Sequence, residues 1–588
     1  MIEPRIYRAA FVPAVLAVVL VMFSLESRPR PLPQGLAADV LFDGGQAASG
    51  AREIVERARD RRSGSAGDAA LAGAVRVALS ERGFAVEVDR FDRDGRALVN
   101  VVGRRAGQSP RQIVVLAARD ASGVPDAAGS AADTAALLEL SRVFEGRPSR
   151  KTLVLASVDG STLGQVGARR LAERLEDPDL VDAVLVLSDL GSGAREPPSI
   201  VPWSNDVTRA GIGLQRTVAE SLRQEIGRPA AGASPTGQGA RLAFPIGIGA
   251  QGPLIAAGYD AVRIAGDGEL EGSGDSEPDA IDEDRLGGLG RATLRTVTAL
   301  DQGGRPAHGP SAYVTVGGQV LPGWVLVVLG LTLILPALVA SIDAFARARR
   351  RARAISPWFA WVGAGGLAFA VGLGLAHVLA LSGATPDPPA APVTPDLYPL
   401  RAAGWGVLGV LATAIALAWV GLRRIARRVA ADVTDPGAAV AVALVLSVSV
   451  LGVWALNPYS VLILVPALHL WILATLVDPP PARRTRLIMV AAGLLLPVLL
   501  VTYDLITLQL DPASGAWYLF LLVTGGHVSV VSALLGCVLA AALGSVAAIA
   551  GARHPEAEGG AGDTPSVRGP GSYAGPGSLG GTSSALRR

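Results

Sequence analysis

Histidine is absent from the first half of this chain: five occur in 588 residues, and the first is His308. An imidazole base or metal ligand is thereby excluded from residues 1–307, and both zinc hydrolysis and Ser-His-Asp catalysis ordinarily need one. Cysteine is scarcer still. The single Cys537 rules out an intrachain disulfide, and it sits in a long apolar run. Lysine occurs once, at Lys151, with arginine supplying the other basic charge. Charged residues make up 18% of the chain, against roughly 25% in ordinary soluble domains. The net charge of +2 gives no basic surface for a polyanion, so no nucleic-acid partner is expected.

What is abundant is apolar. Half the residues are hydrophobic and the mean hydropathy is +0.40, but residues 35–310 carry normal charge while 322–551 is one apolar run after another. A bilayer core requires about 20 apolar residues per helix. Eight segments qualify: 8–25, 322–342, 358–381, 403–422, 437–456, 459–477, 486–507 and about 527–550. The predicted organisation is a signal-anchor span over 1–25, a Pro-containing linker over 26–38, a globular domain over 39–310 and a seven-span all-α bundle over 322–551. Residues 552–588, rich in Gly, Ser and Pro, have too few large apolar side chains to fold and are expected to form a disordered tail. Arginines collect at 347–353, 423–428 and 483–486. Short basic loops stay cytoplasmic, so a multi-pass cell-membrane protein is expected, with both termini cytoplasmic and residues 26–321 outside. The lipid bilayer is its first partner.

Within the globular part, short apolar runs at 85–90, 98–102, 113–117, 152–156, 183–187 and 261–264 read as strands. Amphipathic stretches near 51–60, 68–82, 131–144, 164–174, 210–226 and 284–300 read as helices. This alternation predicts a three-layer α/β domain with a mostly parallel central sheet. Sites in such sheets form at the carboxyl ends of the strands, just after 117, 158 and 187.

Those strand ends carry a resemblance. The runs Ile113 to Ala121, Pro125 to Leu140 and Thr152 to Arg169, followed by Pro253 to Val262 and Ser276 to Asp282, resemble in order and spacing the core of the M28 family of zinc aminopeptidases. The resemblance spans about 110–300 and implies that family's fold. Its chemistry is another matter. At the position implied for the first zinc histidine stands Ala118, two residues before Asp120, and at the metal-bridging aspartate an ungapped match gives Gly129. The paired glutamates, general base and zinc ligand, fall on Ser161 and Thr162. The later carboxylate falls on Ser188, beside Asp189, and the last histidine falls near Gly272. Of the site the resemblance implies, only Asp120, which would support a ligand without binding the metal itself, is retained, so no catalytic residue, no metal and no cofactor are expected.

Asp120, Asp126, Asp133 and Asp189 leave an oxygen-only cation site as an alternative to ordinary loop carboxylates. Arg119, Asp120 and Ser161 form a candidate ligand pocket. Ser161, Ser188 and Ser192 lack a base, and Lys151 precedes a strand instead of facing a site. Gly247 to Gly252 spells GxGxxG but opens no strand-turn-helix unit, so it reads as a glycine-rich loop. In the apolar half, His377, His469, Asp504 and His527 would face other helices or water, as helix-to-helix hydrogen bonds or as the lining of a head-group pocket or proton path.

The layout of anchor, outer domain and bundle is similar to membrane-spanning M28 peptidases and to the GPI-anchor-attachment subunit of GPI transamidase. Three functions are therefore in view. The first is a non-catalytic binding or scaffolding module for a peptide, a lipid-linked substrate or an envelope protein. The second is a zinc aminopeptidase with a shifted site, the only reading that brings zinc. The third is a transporter or lipid-handling protein.

Overall fold

A computed structural model describes residues 2–34, 41–175, 177–193, 196–272, 274–428, 430 and 432–553. Most of the expected tail, and the end of the expected linker, lie outside the described residues. The globular domain is built on seven strands: β1 (Ala85–Arg93), β2 (Arg96–Arg105), β3 (Ser109–Ala118), β4 (Lys151–Val158), β5 (Val181–Ser188), β6 (Ser199–Val201) and β7 (Ala261–Ala265). Their order across the sheet is β1-β2-β4-β3-β5-β7-β6. The four central strands are mutually parallel, while β1, β2 and β6 run antiparallel to their neighbours. The sheet is thus mixed: the expected parallel arrangement holds for its core and not for its edges. The cause at one edge is local, because Asp94 and Gly95 both take positive φ (54° and 73°). That two-residue turn matches the strand twist and folds β1 back on β2.

All eight residues of β5 and all five of β7 are buried. Successive side chains on a strand point to opposite faces, so both faces of the sheet are covered and the strands read as continuous apolar runs. Helices Gly44–Arg57, Ala132–Phe144 and Glu283–Gln302 pack together beside β3, and helices Val166–Ala172 and Gln251–Ala256 pack together beside β4 and β7. Ser65 caps helix Ala66–Glu81 by accepting the Asp68 N–H at 3.1 Å, one of the orphan donors of a helix start. Two helices had no sequence signal strong enough to be expected, Pro235–Ala243 and Gln251–Ala256.

Among the described residues, seven helices are long and apolar enough to cross a membrane: Pro4–Phe23, Gly323–Arg350, Ser356–Leu381, Ala402–Ala426, Pro436–Leu456, Arg483–Thr507 and Val530–Gly551. The segment expected at 459–477 forms the shorter helix Ser460–Leu476, and Pro512–Thr524 is a further short apolar helix that no expected span covers. The helix over Arg483–Thr507 breaks at Leu494. Pro497 has no N–H for the Gly493 carbonyl one turn earlier, which explains the break. Pro436–Leu456 is the central helix, buried against its neighbours, whereas large side chains such as Leu417, Val498 and Ile506 point outward.

The globular domain docks on this bundle through residues 237–250. Asn457 Nδ2 donates to the Leu242 and Ala243 carbonyls at 2.9 and 3.0 Å, and Ser460 Oγ donates to Ala243 O at 2.6 Å. Ile246 and Ile248 pack with Leu508, Tyr518 and Leu522. The glycine-rich loop at 247–252 therefore begins where the two halves join.

Candidate functional site

Strand β3 ends at Ala118, and the next two side chains leave on opposite sides, as the pleat requires. Asp120 turns to the strand ends. It accepts from Ser63 Oγ (2.6 Å), from the backbone N–H groups of Ser161 (3.1 Å) and Thr162 (3.2 Å), and from Thr162 Oγ1 (3.3 Å). Arg119 goes the other way. Fully buried, it pairs with Asp68 through Nε (2.8 Å) and Nη2 (2.6 Å), donates to the Val99 carbonyl (2.7 Å) and lies 3.8 Å from Asp159. This corrects the expected pocket of Arg119, Asp120 and Ser161: Arg119 is a core residue drawn to helix Ala66–Glu81, and it does not line the pocket.

A pocket of about 50 Å³ does open at the carboxyl ends of β3, β5 and β7. Six of the eight expected positions line it: Ala118, Asp120, Ser161, Ser188, Asp189 and Gly272. Thr162 stands behind, on Asp120 and Ser63. Gly129 is a special case, because a Cβ there would run into the Asp126 carboxylate. Asp126 follows β3 in the left-handed region (φ 54°) and caps a π-helical turn, Ala127–Ala131, by accepting the Ser130 N–H at 3.0 Å. It thus fills the space that a side chain at 129 would take.

Asp133, from helix Ala132–Phe144, accepts the N–H groups of Asp189 and Leu190, both at 2.9 Å. Asp189 accepts from Ser188 Oγ (2.7 Å) and from Gly272 N–H (3.2 Å). Sequence reasoning missed Glu271 and Arg263, which complete the lining. Arg263 is fully buried and donates to Ser188 Oγ at 3.1 Å, with Glu271 3.9 Å away. A single charge inside the fully buried Ala261–Ala265 strand was the available signal. Lys151 lies at the amino end of β4, away from the site, held by Asp182 (2.6 Å) and the Leu300 carbonyl (2.5 Å).

Five carboxyl groups share this pocket with one guanidinium, so not all of them ionise together. Burial raises Asp126, Asp133 and Asp189 above the usual carboxylate range, and the Asp189 charge pushes Asp126 and Asp133 further. Burial also lifts Glu271 to about 7. Behind the pocket, Asp159 is raised to about 8 by burial and by the neighbouring Asp120 and Asp68.

The donor set does not fit zinc. It offers no imidazole and no thiolate, and among the described residues no three His, Cys, Asp or Glu side chains converge as a metal-ligand group. The pocket carboxylates are engaged instead by hydroxyl and backbone N–H donors of the protein. The oxygen-only group of Asp120, Asp126, Asp133 and Asp189 is likewise not assembled as a ligand set, because each turns to its own donors.

The helical half touches the globular domain beside the pocket. The loop between helices Ser356–Leu381 and Ala402–Ala426 reaches the globular domain, where Thr394 Oγ1 donates to Glu271 at 3.4 Å and the Ala390 carbonyl accepts from Arg169 at 2.7 Å. Tyr518 holds that loop from below, donating to the Val393 carbonyl at 2.7 Å.

The polar residues expected within the spans do not gather. His377 bonds the Leu373 carbonyl of its own helix at 2.9 Å. His469 bonds Tyr7 at 2.6 Å and the Leu333 carbonyl at 2.9 Å, tying the first helix to two others. His527 lies in the turn before Val530–Gly551, outside the span, and donates to the Pro245 carbonyl at 2.9 Å. Its place was misread because the apolar run continues past the helix start. One carboxylate oxygen of Asp504 is buried without a hydrogen-bond partner. The three histidines bond three different sets of partners, and among the described contacts none of them bonds another or Asp504.

No protein-family model matches the chain, and no curated protein matches it in sequence. Among solved structures, the chain is similar to a glutaminyl cyclase of Porphyromonas gingivalis (14% identity, 44% of this chain and 98% of that one, TM-score 0.35). It is similar to a zinc aminopeptidase from Bacillus subtilis (14% identity, 47% and 98%, TM-score 0.36). It is also similar to the LapA aminopeptidase of Legionella pneumophila (13% identity, 45% and 73%, TM-score 0.37).

Proposed function

We propose that this chain is a multi-pass membrane protein whose globular domain is a non-catalytic, M28-peptidase-like binding module outside the cytoplasm. One observation carries the reading: the pocket at the strand ends keeps its carboxylates but spends their lone pairs on protein donors. Ala118, Ser161, Thr162 and Gly272 stand where the resembled family has ligands and base. Backbone strain concentrates there as well. Asp126, Gln165 and Asp189, three of the six described non-glycine residues with positive φ, all line this pocket, and strain held in place by its surroundings is a mark of functional sites.

An acidic pocket of this size suits a small cationic group, such as the amine of a peptide, of a lipid-linked substrate or of an envelope protein. In this reading the chain has eight spans, the N-terminal anchor and a seven-span bundle, with Ser460–Leu476 the shortest; both termini are cytoplasmic, and the docking loops face outward.

Metal analysis of the full-length protein in detergent, after incubation with zinc and removal of the excess, is expected to find well under one zinc per chain. Aminopeptidase assays on unblocked dipeptide substrates are expected to give no chelator-sensitive cleavage. Stoichiometric zinc together with chelator-sensitive cleavage would replace this reading with the metallopeptidase one.

A further inference from the structure

A second cavity, of about 240 Å³, lies away from the strand-end pocket, and its charge is of the opposite sign. Arg28, Arg209 and Arg216 line it, with no carboxylate among the lining residues. Arg209 is 4% exposed. Its guanidinium is clamped between Trp203 and Tyr313, 4.4 and 4.1 Å from the two ring centroids. Nη1 donates to Gln238 Oε1 at 3.0 Å and to the Tyr313 carbonyl at 2.5 Å, while Nε has no partner. The Nε of Arg28 is likewise buried without a partner. Arg216 is half-buried and turned to the carbonyl of Pro29 at 2.5 Å, beside Arg28.

Burying cations is costly unless an anion compensates them, and among the described residues none lines this cavity. Asp260, the carboxylate whose charge reaches Tyr313, is already engaged by the Gly211 N–H at 2.7 Å and by His308 at 3.5 Å. Burial lowers Arg209, and no carboxylate opposes that effect. Forked guanidinium donors with stacking aromatics suit a tetrahedral oxyanion.

The position of the cavity narrows the choice. Arg28 directly follows the strand Glu26–Ser27, which comes shortly after the helix ending at Phe23. That strand pairs with Gln319–Pro322, which runs straight into the helix starting at Gly323. The cavity therefore sits at the level where two candidate membrane helices leave the bilayer.

We propose that the cavity lined by Arg28, Arg209 and Arg216 is a binding site for a phosphate-bearing anion at the membrane surface. The phosphate belongs either to an anionic lipid headgroup or to free inorganic phosphate. Neither the strand-end pocket nor its occupant enters this inference.

Calorimetric titration of the full-length protein in a neutral detergent would use three probes: inorganic phosphate, short-chain phosphatidylglycerol and short-chain diacylglycerol. The expected result is saturable binding of phosphatidylglycerol and none of diacylglycerol. Binding should weaken about tenfold in each of Arg28→Gln and Arg216→Gln, the loss expected for one charge-assisted hydrogen bond. Both side chains are half-buried, so unchanged thermal unfolding is expected and checks the fold. Arg209→Lys, which keeps the charge but loses the planar stack, should weaken binding as well. Inorganic phosphate bound with the same dependence on the variants makes free phosphate a source; phosphatidylglycerol bound without phosphate makes the lipid headgroup the source. Either result supports the site. No binding of either probe, binding unchanged in both Gln variants, or diacylglycerol binding as tightly as phosphatidylglycerol would overturn it.

Discussion

Arg119→Met is expected to cost the globular domain about 3–5 kcal/mol, the range for removing one member of a buried ion pair. The arginine is fully buried, and so, within 1%, are Asp68 and Asp159. Burial raises both Asp68 and Asp159, so the pair carries less than its full negative charge beside one guanidinium. Methionine fills most of the volume but strands that charge and leaves the Val99 carbonyl without its donor. Urea-dependent proteolysis of the full-length protein would read the loss. The deficit should shrink in acid, where protonation neutralises the stranded carboxylate charge. Pairing Arg119→Met with Asp68→Leu should recover part of the stability, since an apolar replacement of a whole ion pair is much less costly than a half-pair. A single variant as stable as the parent would show that Arg119 is not the buried counter-ion described here.

The second large effect is a fall in stability as pH rises. Glu271 is raised from the usual carboxylate range to about 7 and Asp159 to about 8. Such groups bind more protons in the folded than in the unfolded state between about pH 4 and 8, so stability is greatest below their unfolded values and falls as pH passes the folded ones. Asp126, Asp133 and Asp189 act in the same direction. His308, raised by Asp260, adds to the fall above its ordinary value. Glu271 alone contributes on the order of 2 kcal/mol, less than its full shift would give because 24% of its side chain meets solvent. Thermal unfolding of the full-length protein is therefore expected at a higher temperature at pH 5 than at pH 8. Glu271→Gln keeps an acceptor for Thr394 and should flatten the profile by raising the pH 8 value. A stability that climbs from pH 5 to pH 8 would contradict the arrangement of buried acids.

Much of this architecture was legible in the residues. The six expected strands fall inside six of the seven strands of the central sheet; four of the six are the buried parallel strands, which announce themselves as apolar runs whatever their neighbours. The pocket positions were legible for a related reason: the family resemblance places Ala118, Ser161 and Ser188 beside strand ends, and strand ends are where the runs stop. Choices of side were not legible. Nothing local sends Arg119 inward and Asp120 outward; that is decided by Asp68, 51 residues earlier. The match of Gly129 to a lost carboxylate hid the compensation by Asp126, because a π-helical turn displaces the chain in a way no ungapped comparison can follow. Glu271 acquires its role from Thr394, which belongs to the other half of the molecule. His527 shows the converse limit, since composition does not distinguish the last turn of a span from the loop that feeds it.

The loop carrying Ala390, Val393 and Thr394 makes the two halves interdependent. It is strung between two apolar helices and meets the globular domain at Glu271 and Arg169. A fragment ending before Gly323 would lose those contacts along with the partners of Ile246 and Ile248, and would expose apolar surface where the intact protein has an interface.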